Sequence, residues 1–246
     1  MKDRIIVALD TDSPEAALAT VKALSGAVGM FKVGMELFPR GGAELVGRIR
    51  EAGFDVFLDL KFHDIPNTVA GAVRSAAALG VKFATVHASG GRAMLTAAVE
   101  SARGTGTTIL AVTVLTSLDD ADLSDIGFSL RAAEAVARLS DLAVSCGVEG
   151  IVCSAKEVEA VRARVGKGVT LVTPGVRMPG DAVGDQKRVV TPAEAIRRGA
   201  DYLVLGRPIT KAEDPAAAAR AIAASMRTQR EGPAEPPQEG GAPLPD

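Results

Sequence analysis

The sequence predicts an α/β protein, a single-domain (β/α)8 barrel of the TIM type. Three observations point there. Runs rich in Val, Ile, Leu and Phe alternate with Ala-rich helical stretches from end to end. The two kinds of segment each occur eight times, and eight βα units in about 230 residues are the arithmetic of this barrel. The main competitor, a doubly wound open sheet, usually has fewer strands and often opens on a glycine-rich turn. Here the first strand runs out as Leu9-Asp10-Thr11-Asp12-Ser13, with no GxGxxG.

The elements follow in order. A strand over 5–10 leads to a helix over 14–25, opened by Ser13-Pro14, a capping residue before a proline suited to the first turn. The second unit is a strand over 30–35 and a helix over 40–52. The third strand, 55–60, precedes a helix over 66–79 that begins at Pro66. The strand over 83–88 is followed by a helix over 91–103, and that over 108–115 by a helix over 129–145. The connection 116–129 is unusually long, and a short helix is expected around 118–126. A strand over 150–154 pairs with a helix over 156–165. The strand over 170–176 is followed by a helix over 192–199, where Thr191, Pro192 and Glu194 suggest a capping box. The last unit is 202–206 and 215–228, the helix opened by Asp214-Pro215. Near-continuous apolar strands are what parallel strands covered by helices require.

The barrel is expected to occupy residues 1–229 and a tail residues 230–246. Eight of the sixteen residues 231–246 are Pro or Gly, too little apolar surface to offset ordering entropy, so the tail reads as disordered.

Composition removes several function classes. The net charge of −2, with no long basic run, advertises neither nucleic acid nor an anionic membrane. With no Trp and one Tyr, base-stacking platforms are unexpected. Cys146 and Cys153 have the spacing of neither a metal knuckle nor a disulfide scaffold, and read as buried thiols in a reducing compartment. The N-terminus lacks a signal-peptide pattern and no apolar run reaches membrane-spanning length, so a cytoplasmic location is expected. His63 and His87 are the only histidines, which argues against a multi-histidine metal site or a Ser-His-Asp triad. Carboxylate-bound magnesium stays open.

The chemistry concentrates in Asp59-Leu60-Lys61-Phe62-His63-Asp64-Ile65-Pro66-Asn67-Thr68. Period-two alternation puts Asp59 and Lys61 on one face of the third strand, with Asp64 just beyond it. A lysine between two acids is often only a weak surface ion pair. Here the charges end a strand that otherwise reads as buried, and Asn67 and Thr68 add polar groups at the adjoining helix start. In such barrels the active site sits at the C-terminal strand ends. Asp10, Thr116, Ser117, Thr173-Pro174-Gly175-Val176-Arg177 and Gly206-Arg207 fall at or near those ends, and Lys32 lies within the second strand. The last two groups suggest a phosphate site, since the loops after strands seven and eight commonly bind phosphate. Gly206 permits close backbone approach, Arg207 offers a fork of donors, and Gln186 stands in a loop able to close over a ligand.

Val7-Ala8-Leu9-Asp10, Phe31-Lys32-Val33-Gly34, the run 59–68, Leu115-Thr116-Ser117, Pro174-Gly175-Val176-Arg177, Gly184-Asp185-Gln186 and Leu205-Gly206-Arg207-Pro208 stand together over about residues 4–210. In these motifs and their order the chain resembles the orotidine 5′-monophosphate decarboxylase family. The resemblance implies decarboxylation of that nucleotide to UMP, with neither metal nor organic cofactor. It implies that Lys61 protonates the pyrimidine carbanion and that Asp59 sits beside the substrate carboxylate. Asp10, Lys32 and Asp64 would bind ribose hydroxyls and complete the charge network, and Thr116 and Ser117 would contact the ring. Arg177, Gln186, Gly206 and Arg207 would hold the phosphate, with Ile65, Pro66, Asn67 and Thr68 also among the binding residues. It further implies a homodimer in which Asp64 serves the neighbouring site, with no nucleic-acid or membrane partner. The connections around 117–127 and 178–190 are candidate lids. The rival readings are a magnesium-dependent phosphosugar decarboxylase or aldolase of the same superfamily and an inactive nucleotide-binding barrel.

Overall fold

A computed structural model describes residues 1–176 and 190–227 of the chain. The eight strands, all parallel, close into a barrel in sequence order. The first units are β1 (Ile5–Ala8), α1 (Pro14–Ala23), β2 (Met30–Gly34), α2 (Phe38–Glu51), β3 (Asp55–Phe62) and α3 (Pro66–Ala78). Then come β4 (Phe83–His87), α4 (Gly91–Ala102), β5 (Thr108–Val112), α5 (Asp120–Asp125), α6 (Ala132–Ser145), β6 (Gly150–Val152) and α7 (Val158–Val165). β7 (Thr170–Thr173), α8 (Pro192–Arg197), β8 (Tyr202–Leu205), α9 (Arg207–Thr210) and α10 (Pro215–Ser225) complete it.

Strand alternation sorts the core into two shells. Ile6, Met30, Phe57, Phe83, Leu110 and Val172 fill the barrel interior. There the Phe83 ring meets Phe57 and Tyr202 edge-on. Their neighbours Ile5, Val7, Phe31, Val33, Leu58, Ala84 and Val86 belong to the larger cluster beneath the helices. Charged groups of the strands therefore gather at the two ends of the barrel.

The N-terminal end, the floor, is tied by arginines. Arg4 donates to the carbonyls of Ala200 and Asp201, each at 2.6 Å. Arg162 donates to the carbonyls of Gly166, Val169 and Gly199 and to the Asp201 carboxylate. Asp201 in turn accepts the Leu171 N–H at 2.8 Å.

Several boundaries differ from the sequence expectation. β5 stops at Val112 because its partner β6 is only three residues long and pairing ends at Val112↔Val152. β3 runs on to Phe62, which pairs with Val86 across an irregularity. α9 was not expected. Thr191 caps α8 by accepting the Glu194 N–H, but the Glu194 carboxylate is engaged by Arg198 at 2.5 Å. The reciprocal capping box is instead at Asp119 and Asp122, opening α5. Cys153 is buried, whereas Cys146 is only half-buried and accepts a bond from Arg92. Burial pushes the Cys153 thiol up to about 12, so it stays protonated near neutrality. No described helix is long and apolar enough to cross a membrane. The expected tail lies outside the described residues.

Candidate active site

The first three strands deliver four charges to the C-terminal mouth. Lys32 Nζ lies 3.1 Å from Asp10 Oδ1 and 3.6 Å from Asp59 Oδ2, and Lys61 Nζ lies 2.9 Å from Asp59 Oδ1. The signs alternate along Asp10, Lys32, Asp59 and Lys61. The side chains of Lys32 and Asp59 are only 12% and 13% exposed, against 63% for Asp10 at the rim. This is a largely covered network, unlike the solvated surface pair that spacing alone allowed.

Two local features make room for it. Gly34 lies two residues beyond Lys32, and a Cβ there would stand 2.9 Å from Lys32 Nζ. Hydrogen alone leaves the ammonium its place. At the end of β3, Lys61 has φ +50°, the left-handed region, and is the only described non-glycine residue there. Pairing between β3 and β4 shifts at this point: Leu58 pairs with Ala84, and the next partners are Phe62 and Val86. The Thr85 hydroxyl fills the gap. It accepts the Lys61 N–H at 2.9 Å and donates to Asp59 Oδ1 at 3.1 Å.

His87, ending β4, stands on the same side of the barrel, its ring centroid 5.3 Å from that of His63. Burial first, then the charges of His63 and Lys61, hold its pKa below the ordinary value of 6.5. The sequence reading gave neither Thr85 nor His87 a part. A threonine in a β-branched strand carries no mark distinguishing it from packing.

The other expected residues fall in three groups. Asp64, Ile65, Pro66, Asn67 and Thr68 are all exposed where α3 begins, and the Asp64 carboxylate accepts its neighbour's N–H, Ile65, at 2.7 Å. Within one chain Asp64 therefore makes no bond to Lys32 or Lys61. Thr116 and Ser117 are exposed between β5 and α5. Gly206 precedes α9, and Arg207 is exposed on its first turn. A Cβ at Gly206 would lie 3.7 Å from Asp10 Oδ2, an ordinary contact, so the fold itself does not demand glycine there. The same distance puts Gly206 across from the charge network, on the β1–β8 seam. Arg177, Gln186 and nearly all of the expected lid at 178–190 lie outside the described residues. Among the described residues, no three His, Cys, Asp or Glu side chains form a group able to hold a metal ion.

Comparison with known proteins agrees with this geometry. The sequence profile of the Orotidine 5'-phosphate decarboxylase / HUMPS family matches residues 3–222. The Orotidine 5'-phosphate decarboxylase of Halorhodospira halophila is 55% identical over 225 residues, covering 91% of this chain and 95% of that protein. The enzyme of that name from Anaeromyxobacter sp. is 56% identical over 224 residues, covering 91% and 98%. The crystal structure of Orotidine 5'-phosphate decarboxylase from Lactobacillus acidophilus superposes with a TM-score of 0.82 at 38% identity, covering 92% of this chain and 99% of that one. By profile, sequence and fold alike, the chain belongs to the Orotidine 5'-phosphate decarboxylase / HUMPS family.

Proposed function

We propose a division of labour for the conversion of orotidine 5′-monophosphate to UMP and carbon dioxide, the reaction of pyrimidine biosynthesis that this carboxy-lyase performs. The observation that carries it is the alternating chain Asp10–Lys32–Asp59–Lys61 at the barrel mouth. The bond from C6 to the carboxylate breaks and leaves its electron pair on C6. The Lys61 ammonium stabilises that charge, transfers its proton to C6 and is reprotonated from water. Asp59 stands beside the departing carboxylate. Two carboxylates about 4 Å apart at an effective dielectric of about 20 repel by about 4 kcal/mol. That is worth about three powers of ten in rate, well short of what very slow reactions require. Preorganised stabilisation of the carbanion by Lys61 therefore carries the larger part.

Asp10 and Lys32 bind the ribose hydroxyls together with Asp64 of the neighbouring protomer. Thr116 and Ser117 meet the pyrimidine. Arg177, Gln186, Gly206 and Arg207 hold the phosphate, whose remote binding energy orients the ring and draws the loops closed. Ile65, Pro66, Asn67 and Thr68 line the same surface as Asp64. A homodimer is supported by the exposure of that whole run and by exposed apolar side chains in the same half of the barrel: Ile65, within the run, is 67% exposed, and Met35, just past β2, is 59% exposed. This reading describes a cytoplasmic dimer that needs neither metal nor organic cofactor.

The test is to mix the purified protein with orotidine 5′-monophosphate in EDTA and follow the ultraviolet absorbance. Conversion to UMP at the same rate with and without chelator is expected. Activity abolished by EDTA and restored by magnesium would overturn the metal-free mechanism. Binding of UMP without turnover would leave only a nucleotide-binding barrel.

A further inference from the structure

We propose that Thr85 is a positioning residue for the decarboxylation, setting through one hydroxyl where both the Asp59 carboxylate and the Lys61 ammonium stand. The proposal rests on the roles assigned above to those two residues.

Three residues of β3, Asp59 to Lys61, stand between the paired positions Leu58↔Ala84 and Phe62↔Val86, opposite Thr85 alone. The regular ladder cannot serve so many backbone groups, and the chain responds with a left-handed Lys61 at φ +50°. Side chains with a Cβ avoid that conformation, and such strain persists only where the surroundings impose it. Thr85 imposes it. Its Oγ1 accepts the Lys61 N–H at 2.9 Å and lies 3.1 Å from Asp59 Oδ1.

The direction of each bond is determined. A backbone N–H only donates and an ionised carboxylate only accepts, so the single hydroxyl proton of Thr85 must point to Asp59. Asp59 Oδ1 is also the oxygen that accepts from Lys61 Nζ, at 2.9 Å. Backbone nitrogen and ammonium of one lysine are thus tied into a closed ring through a single hydroxyl and a single carboxylate oxygen. Thr85 is fully buried, which leaves no room for solvent to take over its bonds. Branching at its Cβ restricts the rotamer that aims the hydroxyl. The structure assigns the residue no contact with the open mouth, so its effect passes through Asp59 and Lys61.

The experiment compares Thr85→Val, which keeps the shape and loses the hydroxyl, with Thr85→Ser, which keeps the hydroxyl. Misplaced reacting groups lower the rate of the chemical step, so kcat of Thr85→Val should fall by about 10²-fold while KM and the Kd of UMP stay within about threefold. Thr85→Ser should recover kcat to within about threefold of wild type. A Thr85→Val enzyme with wild-type kcat, or a Thr85→Ser enzyme as slow as Thr85→Val, would overturn the inference. If Thr85→Val does not fold, Thr85→Ala is measured per UMP-binding site, with the same expectation and the same criterion for failure. Lys61→Ala, run alongside, separates the two levels. Wild-type turnover in Lys61→Ala would sink the underlying roles, whereas an inactive Lys61→Ala beside a fully active Thr85→Val would sink only the part given to Thr85.

Discussion

The two ends of the barrel both carry charge networks, yet they are built in opposite ways. At the floor, one arginine fork spreads its donors over the carbonyls of Gly166, Val169 and Gly199 and the Asp201 carboxylate. Most of those partners are backbone, so the network joins the β7–β8 region to the preceding helix and needs nothing from outside. At the mouth, the cations are lysines and their partners are carboxylates from the same or the adjoining βα unit. Lys61 has three donors and, among the described residues, a single carboxylate partner. A planar guanidinium suits fixed multi-point bonding, whereas a compact ammonium can stabilise charge and give up a proton. The floor ties the protein together, and the mouth carries the groups proposed to react.

The contrast can be broken most sharply with Lys61 and Asp64. Lys61→Ala and Asp64→Ala should each lose turnover by about 10³-fold or more, combining lost proton transfer and lost charge stabilisation. Neither should change Tm much, because Lys61 ends at the open mouth and Asp64 is exposed where α3 begins. Mixed in equal amounts with free subunit exchange, the two proteins should regain about a quarter of wild-type activity, since half the dimers are hybrids with one intact site of two. A single mutant retaining a tenth of kcat, or proven exchange without recovery, would count against this assignment of the mouth.

Arg162→Ala is the reciprocal change. It strands several carbonyls and takes the nearer cation from Asp201, and should cost about 2 kcal/mol, lowering Tm by about 4–8 °C, with kcat within about twofold of wild type. Thermal melts and initial rates on one preparation test it. A large loss of kcat with an unchanged melt would erase the distinction between the two ends.

The smallest effect concerns His87. Its folded pKa lies below 6.5, from burial and from the neighbouring His63 and Lys61, against an opposing pull from Asp59. The unfolded chain therefore binds the proton more readily, and stability is lost as pH falls from about 6.5 through the folded value. Tm measured from pH 8 to 5 should decline on the acid side, and less steeply in His87→Gln. An identical slope in that variant would remove His87 from the explanation.

Much of this was legible in the chain itself. The eight apolar runs and their intervening helices announced the barrel, because parallel strands buried on both faces leave a pattern that survives local ambiguity. Asp59 and Lys61 were readable because charges ending an apolar strand are hard to explain by packing, whereas the roles of Asp10 and Lys32 came from the resemblance. What escaped needed cross-strand register. Thr85 lies 24 residues from Lys61 and 26 from Asp59, and its partnership exists only because β3 slips against β4. The special backbone of Lys61 escaped for the same reason. Gly34 stood inside a recognised motif, yet the neighbour it spares, Lys32 Nζ, appears only in three dimensions. The misassigned capping box had a competitor in plain view: Arg197 and Arg198 sit one turn on from Glu194 and claim its carboxylate.

The seam between the first and last strands has a consequence for how the enzyme is made. All the groups proposed to react lie on β1 to β3, among the earliest residues to leave the ribosome, whereas Gly206 and Arg207 arrive with β8. The two sets meet only when Ile5, Ile6 and Val7 pair with Leu203, Val204 and Leu205. A nascent chain that has emerged as far as β7 carries the whole lysine–aspartate array but has no closed rim to seat a nucleotide. Seating a nucleotide would thus wait on one late pairing, and the onset of UMP binding would serve as a clock for the final step of folding.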